Sequence, residues 1–331
     1  STADDHDDHG HRGGRPRVVV TRQLPGGALD RLAQVAEVDV WPGRLPPTPD
    51  QLRDLATGAT GLITMLTDRV DAELLDACPD LRVVANFAVG YDNLDVTELT
   101  RRGIPVGNTP GVLTDSTADL AWALILAATR RIPEGAAAVR AGDWLTWDAD
   151  WLLGVDVAGA TLGIVGYGRI GAAVARRAAG FGMEILAWNR SPKSAAGVSF
   201  VDLDELLRRS DIVSLHCALT DETRGLIGAE ELRAMKPTAV LVNTARGPIV
   251  AQPALTEALK AGEIFAAGLD VVEHEPIPAD DALLDLPNCL VLPHLGSATV
   301  ATRSKMADMA VDAVRAALTG GAHMSETLAD L

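Results

Sequence analysis

Arg246, Glu275 and His294 are the side chains of this sequence best suited to act together on a small anion. A guanidinium presents a planar fork that matches a carboxylate. An imidazole beside a carboxylate is held in one orientation, is favoured in its protonated form, and exchanges a proton near neutral pH. Each of the three residues follows a short apolar run: Val240 to Asn243, Ala266 to Leu269, and Leu290 to Leu292, bounded by Gly or Pro. Such runs predict buried strands, and in an open α/β sheet ligands bind just beyond strand ends. The three residues are therefore expected to converge on one site. A metal centre built from Glu273, His274, Glu275 and His294 is the competing reading. Neighbouring residues of an extended backbone point in different directions, and neither H-E-x-x-H nor a Cys pairing is present, so no metal is expected. His216, at a strand end, and His323, near the C-terminus, read as structural or rim residues rather than acid/base groups.

Chemistry at such a site needs a second reactant, and the middle of the chain supplies a place for one. Gly166-Tyr167-Gly168-Arg169-Ile170-Gly171 directly follows the apolar run Thr161 to Val165 and opens the helical pattern Gly168 to Gly180. In that context the glycines serve a tight turn, close backbone approach to a pyrophosphate, and close packing of helix on strand, with the helix N-terminus facing the anion. A nicotinamide dinucleotide held there would supply hydride. Arg246 would grip the carboxylate of a 2-oxo acid and His294 would protonate the carbonyl oxygen. The next strand, Glu184 to Trp188, ends in Asn189-Arg190-Ser191, where an NAD site places Asp or Glu on the ribose. Arg190 suits a 2′-phosphate, Asn189 and Ser191 would donate hydrogen bonds, and no carboxylate opposes them, so NADP(H) is the expected cofactor and NAD(H) the alternative.

The elements that must position these groups alternate strand and helix. Val18 to Thr21, Val38 to Trp41, Gly61 to Thr64 and Leu81 to Ala85 read as strands separated by helical segments, and this first unit closes near Ile104 to Gly107. After Gly171, strands at Glu184 to Trp188 and Ile212 to His216 lead to those of the site. This predicts two doubly wound parallel-sheet domains, a Rossmann cofactor domain inserted into a flavodoxin-like one. The expected boundaries are a disordered His/Asp-rich tail at 1–14, a substrate domain at 15–112 and 297–331, and a dinucleotide-binding domain at 113–296. Thr114 begins a helical pattern that runs through Arg131, and Val300 to Leu318 forms a last amphipathic segment expected to return to the first domain. An active site between two such lobes is expected to close around its ligands.

Trp144, Trp147 and Trp151, three of the six tryptophans, crowd into a stretch with neither helical nor strand period. A compact monomer buries three neighbouring indoles poorly, so this arm is expected to cross a homodimer interface. With 331 residues and 47% hydrophobic content there is material for two cores. A net charge of −16 excludes adhesion to nucleic acid or anionic membrane. Cys78, Cys217 and Cys289 sit in or beside apolar runs without metal spacing, as expected of buried thiols in a cytoplasmic protein. The longest apolar run, Leu120 to Ala128, is too short to span a bilayer, and the N-terminus lacks the apolar core of a secretory signal.

The sequence resembles the D-isomer-specific 2-hydroxyacid dehydrogenases, and within them the glyoxylate/hydroxypyruvate reductases, from Arg17 to about Gly320. The carriers are Asn86-Phe87-Ala88-Val89-Gly90-Tyr91-Asp92-Asn93, Asn108-Thr109-Pro110-Gly111-Val112-Leu113-Thr114-Asp115, the glycine motif, Asn243-Thr244-Ala245-Arg246-Gly247, Gly268-Leu269-Asp270-Val271 and Pro293-His294-Leu295-Gly296-Ser297. The resemblance implies Arg246, Glu275 and His294 as the catalytic set. It implies cofactor contacts from Thr114, Thr223, Thr244, Ala245, Asp270 and Gly296 in addition to the glycine motif and Asn189 to Ser191. It further implies substrate contacts from Leu66 and the backbone of Val89 and Gly90, with Trp147 as a pocket wall reaching a neighbouring subunit. Ala218 and Val272 depart from the Pro and Phe common in the family. The implied substrate is glyoxylate or hydroxypyruvate, with bulkier 2-oxo acids as alternatives. A nucleotide-sensing corepressor module, which uses the same scaffold, is the reading of another class, and retention of Arg, Glu and His together favours an enzyme.

The cofactor expectation is tested by comparing kcat/KM with NADPH and NADH. Arg190→Ala should reduce NADPH use selectively, and a clear NADH preference in the wild type would sink the assignment.

Overall fold

In the computed structural model, residues 14–320 are described, and the expectations for the tail before Gly14 and for His323 lie outside them. The described chain forms two compact units, one made of the residues through Pro110 together with those from Arg303 on, the other of Gly111–Thr302.

The first unit has five parallel strands: β1 (Arg17–Val20), β2 (Glu37–Val40), β3 (Gly61–Thr64), β4 (Val83–Asn86) and β5 (Val106–Gly107). Their order is β2-β1-β3-β4-β5. β1, β3 and β4 are rich in β-branched and small apolar residues and lie buried, as strands covered on both faces must be. On one face Leu52, Leu74, Leu75 and Leu99 fill the space, and on the other Leu32 packs with Ala307, Ala310, Val311 and Val314. Those last four come from the helix Val300–Thr319, so the C-terminal segment completes the core that β1 begins. Arg31 reinforces the contact by pairing with Asp308 at 2.8 Å and Asp312 at 3.0 Å. Gly107 is required here, because a Cβ would stand 2.7 Å from that of Ala313 on the same helix.

The second unit has seven parallel strands: β6 (Thr161–Val165), β7 (Glu184–Trp188), β8 (Ser199–Phe200), β9 (Ile212–Leu215), β10 (Val240–Asn243), β11 (Ala266–Leu269) and β12 (Cys289–Val291). Their order is β12-β11-β10-β9-β6-β7-β8. The chain reverses direction of growth between β6 and β9, and that switch point is where a doubly wound sheet opens a crevice for ligand. The expected fold class of two parallel-sheet α/β domains is therefore borne out. The helix Thr114–Thr129 buries Ala118, Ala121, Leu124 and Ile125 against β10 and β11, so the apolar run read as a buried helix is one. Among the described residues no helix is long and apolar enough to cross a membrane.

Several elements differ from the sequence expectation. The helical pattern does not continue through Arg131: it ends at Thr129, Arg131 takes a left-handed φ of 52°, and a separate helix begins at Ile132 with Pro133 in its first turn. Proline has no N–H to give the preceding turn and fits only at a helix start, which enforces the break. The new helix, Ile132–Ala141, buries none of its residues, and Ile132 and Val139 are exposed. A helix at Gln252–Ala261 follows β10, and a two-residue strand, β8, extends the sheet beyond β7.

Candidate active site

Three adjacent strands of the second unit each deliver one polar group. At the end of β10, the buried Asn243 folds the chain over itself: its amide donates to the Arg246 carbonyl at 2.9 Å and its carbonyl accepts from the Ala245 N–H at 3.0 Å. The residue after Arg246 must be glycine, since a Cβ on Gly247 would overlap the Val272 carbonyl at 1.8 Å. This close approach sets the turn carrying Arg246 against the segment that leaves β11 toward Glu275. Arg246 is half-buried, and its guanidinium donates to the Ala245 carbonyl at 2.8 Å.

Beyond β12, His294 is paired with Glu275 through Nδ1 and Oε2 at 2.7 Å. An ionised carboxylate only accepts, so the hydrogen is assigned to Nδ1 and Nε2 is the nitrogen left for proton exchange. The other oxygen of Glu275 accepts from the Val272 N–H at 3.3 Å. His294 has φ of +55°, a conformation that costs a non-glycine residue about 1–3 kcal/mol unless its surroundings enforce it. Asp270 does so. Its carbonyl accepts from the His294 N–H at 3.0 Å, and its carboxylate accepts from the Leu295 N–H at 2.6 Å and the Gly296 N–H at 2.8 Å. The Thr117 hydroxyl donates to the Gly296 carbonyl at 3.2 Å. Burial pushes the Asp270 carboxyl above its ordinary range, while the Leu295 N–H, His294 and the Gly296 N–H pull it back.

The glycine motif lies at the end of β6. Gly166 has φ of +97°, and a Cβ there would stand 2.4 Å from the Cys217 nitrogen. A Cβ on Gly171 would be 2.3 Å from the Gly166 carbonyl. A Cβ on Gly168 would meet nothing in the protein within 4 Å, so packing does not require glycine there and close approach of a ligand does. Gly168 caps the helix Arg169–Ala178 without a side-chain hydrogen bond, leaving the helix start to backbone groups. These residues fit a dinucleotide pyrophosphate.

The rim beside the motif departs from the sequence reading in two ways. Asn189 does not reach outward: its carbonyl accepts from the Tyr167 N–H at 3.1 Å and its amide donates to the Ser191 carbonyl at 2.9 Å. Lys193, which sequence reasoning passed over, donates to the Tyr167 carbonyl at 2.9 Å. Nor is Arg190 unopposed. Glu222 lies 3.7 Å from it, because β7 and β9 flank β6 on either side and the loops that follow them meet over its end. The Thr223 hydroxyl donates to the Ala218 carbonyl at 2.7 Å and accepts from the Thr220 N–H at 2.7 Å, so it shapes its own turn.

His216 sits between the Ser214 hydroxyl, 2.8 Å from Nε2, and the Thr244 hydroxyl, 3.4 Å from Nδ1. Burial pushes its pKa down to about 3, so it stays neutral. Thr114 stands half-buried at the first position of its helix. Burial likewise raises the Cys217 thiol to about 11 and the Cys289 thiol to about 12, which keeps both protonated. Among the described residues no three His, Cys, Asp or Glu side chains are grouped as a metal site.

In the first unit, Leu66 follows β3 and Val89 and Gly90 follow β4. The Asn86 amide donates to the Gly90 carbonyl at 2.8 Å, and the Asn108 amide to the Val89 carbonyl at 2.9 Å, which fixes both peptide planes. The Asn93 amide ties the Leu66 loop at the Met65 carbonyl, 3.0 Å, and at the Asp68 carbonyl, 2.8 Å. Trp147 is 83% exposed, so no pocket within its own chain receives it.

Residues 122–296 match the model of the D-isomer specific 2-hydroxyacid dehydrogenase NAD binding domain. A glyoxylate reductase of Korarchaeum cryptofilum is 52% identical over 303 residues, which cover 90% of this chain and 91% of that one. A protein of solved structure from Thermus thermophilus is 48% identical with a TM-score of 0.90, covering 94% of this chain and 99% of that one. The NADPH-dependent glyoxylate/hydroxypyruvate reductase of Sinorhizobium meliloti, solved with NADP and malonate, is 35% identical with a TM-score of 0.82, covering 95% and 96%.

Asp270→Asn would leave one of the Leu295 and Gly296 N–H groups facing an amide donor. The loss of a charge-assisted hydrogen bond of about 1.5–3 kcal/mol predicts at least about a tenfold fall in kcat, with the far-ultraviolet circular dichroism unchanged. An unchanged kcat would show that the clamp does not position His294.

Proposed function

The chain belongs to the D-isomer-specific 2-hydroxyacid dehydrogenase family, and from that premise we propose that it reduces a small 2-oxo acid, glyoxylate or hydroxypyruvate, to the D-2-hydroxy acid. The observation that carries the reading is the 2.7 Å Glu275–His294 pair on a loop fixed by Asp270, next to the strand that delivers Arg246. When bound, a nicotinamide dinucleotide supplies hydride to C2 of the substrate. Arg246 pairs with the substrate carboxylate and polarises the neighbouring carbonyl. His294, as imidazolium, gives its Nε2 proton to the carbonyl oxygen, while Glu275 holds Nδ1 and offsets the ring's charge. Leu66, Val89 and Gly90 are proposed as substrate contacts, the latter two through backbone N–H groups. Thr114, Thr244, Ala245, Asp270 and Gly296 are proposed to border the cofactor with the glycine motif. The reading is supported by the glyoxylate reductase relative and by the Sinorhizobium meliloti enzyme, whose malonate is a small dicarboxylate.

For the cofactor we propose NADP(H) over NAD(H), on Arg190 and the absence of an acidic residue at Asn189. The NADP complex of the Sinorhizobium meliloti reductase supports it. We further propose a cytoplasmic homodimer. Trp144, Leu145 and Trp147 and the apolar residues of the helix Ile132–Ala141 are exposed together, and a second copy of this chain would cover them, with Trp147 reaching the partner's substrate pocket.

Two measurements test these readings. NADPH or NADH should be consumed with glyoxylate and hydroxypyruvate and more slowly with phenylpyruvate or branched 2-oxo acids. His294→Ala should lower kcat by about 10²–10⁴, the usual worth of a general acid. Tight cofactor binding with no turnover of any small 2-oxo acid would instead make the chain a nucleotide sensor. Sedimentation at micromolar concentration should give about twice the 34.7 kDa chain mass, and a monomer would refute the dimer.

A further inference from the structure

We propose that Glu222 is a cofactor-specificity residue: by engaging Arg190 and placing a carboxylate beside it, Glu222 weakens the hold on a 2′-phosphate and moderates the preference for NADP(H) over NAD(H). The inference rests on the reading of the glycine motif as a dinucleotide site. Asn189, at the position where an acidic residue would bond the ribose hydroxyls, is committed to the Tyr167 and Ser191 backbone. Arg190, with Ser191 and Lys193 beside it, is then a group of this rim able to recognise a phosphate, and Lys193 already donates to the Tyr167 carbonyl at 2.9 Å. The Arg190 Nη1 lies 3.7 Å from Oε2 of Glu222, which arrives from the loop after β9.

The two partners are held differently. The Glu222 carboxylate accepts from the Thr220 hydroxyl at 2.6 Å, and the turn beneath it is closed by the bonds of Thr223 to Thr220 and Ala218. The Thr220 hydroxyl, and secondarily the residue's own backbone and Arg190, hold the carboxyl below its ordinary range, so it is ionised at neutral pH. Glu222 is thus a negative charge hydrogen-bonded to its own turn, although it is as exposed as Arg190, 70% against 69%. A bound 2′-phosphate carries roughly 1.5–2 negative charges near pH 7 and must share Arg190 with that carboxylate. NAD, with a hydroxyl in place of the phosphate, meets no such opposition.

Calorimetric titration of the full chain with adenosine 2′,5′-bisphosphate and with 5′-AMP isolates the effect from turnover. Glu222→Gln should tighten the bisphosphate by about two- to fivefold, the scale of one exposed charge pair, and leave 5′-AMP unchanged. The gain should shrink in 0.5 M salt, where screening acts within about 4–5 Å. The ratio of kcat/KM for NADPH over NADH should rise in parallel. Equal effects on both ligands, or none, would overturn the role of Glu222. Wild-type protein that bound neither ligand, nor NADP or NAD, would instead remove the cofactor reading on which it rests.

Discussion

The buried carboxylate of Asp270 is the interaction on which the site depends. It closes β11, takes the N–H groups of Leu295 and Gly296, and through its own carbonyl holds the N–H of His294. A carboxylate that is 1% exposed is costly to ionise, which is why burial raises its pKa. Backbone donors offset that cost and at the same time tie down a histidine in a left-handed conformation. The same group therefore answers two needs: satisfaction of a buried charge and rigidity of the loop that carries His294. Its amide, bonded to the Asn243 carbonyl at 2.9 Å, also fastens this assembly to the strand that delivers Arg246.

Parallel pairing brings side by side the strand ends that precede three residues distant in sequence. β10, β11 and β12 are neighbours in register, with Val242 opposite Gly268 and Gly268 opposite Leu290, so their carboxyl ends lie side by side. The order that places β9 and β7 on either side of β6 gathers a second group of loops at the glycine motif. The glycines then divide by purpose. Gly166, Gly171 and Gly247 are required by protein packing, whereas Gly168 borders open space, where a side chain would obstruct a ligand rather than the fold.

This division marks how much was legible in the sequence. Strand ends were readable because apolar runs are punctuated by Gly, Pro or a polar residue, and β6, β7, β10 and β11 fall where those runs lie. β12 runs one residue earlier than its apolar run suggested, and β9 stops before His216, since burial and ladder bonds rather than hydropathy end a strand. The helix Gln252–Ala261 was missed although its signals were present, a Pro in its first turn, Leu255 and Leu259 on one face, and Gly262 at its end. The left-handed Arg131 had no such signal, because a non-glycine residue in that conformation is imposed by its surroundings. Glu222 escaped for a different reason: its neighbour Arg190 lies on another loop, and only strand order brings the two together.

Two carboxylate–cation pairs border the candidate site, and environment separates them. Glu275 and His294 are 38% and 30% exposed at 2.7 Å, each anchored by backbone bonds, so the pair fixes which ring nitrogen is left without the carboxylate. Glu222 and Arg190 are 70% and 69% exposed at 3.7 Å, where water screens the charges and a long side chain retains its freedom. The first arrangement suits a proton donor, whose position has to be set before the substrate arrives. The second suits discrimination between ligands that differ by one phosphate, because a weak pair is readily displaced and its strength changes with a single residue. On the proposed roles, chemistry is placed where the backbone is clamped and selectivity where side chains are exposed.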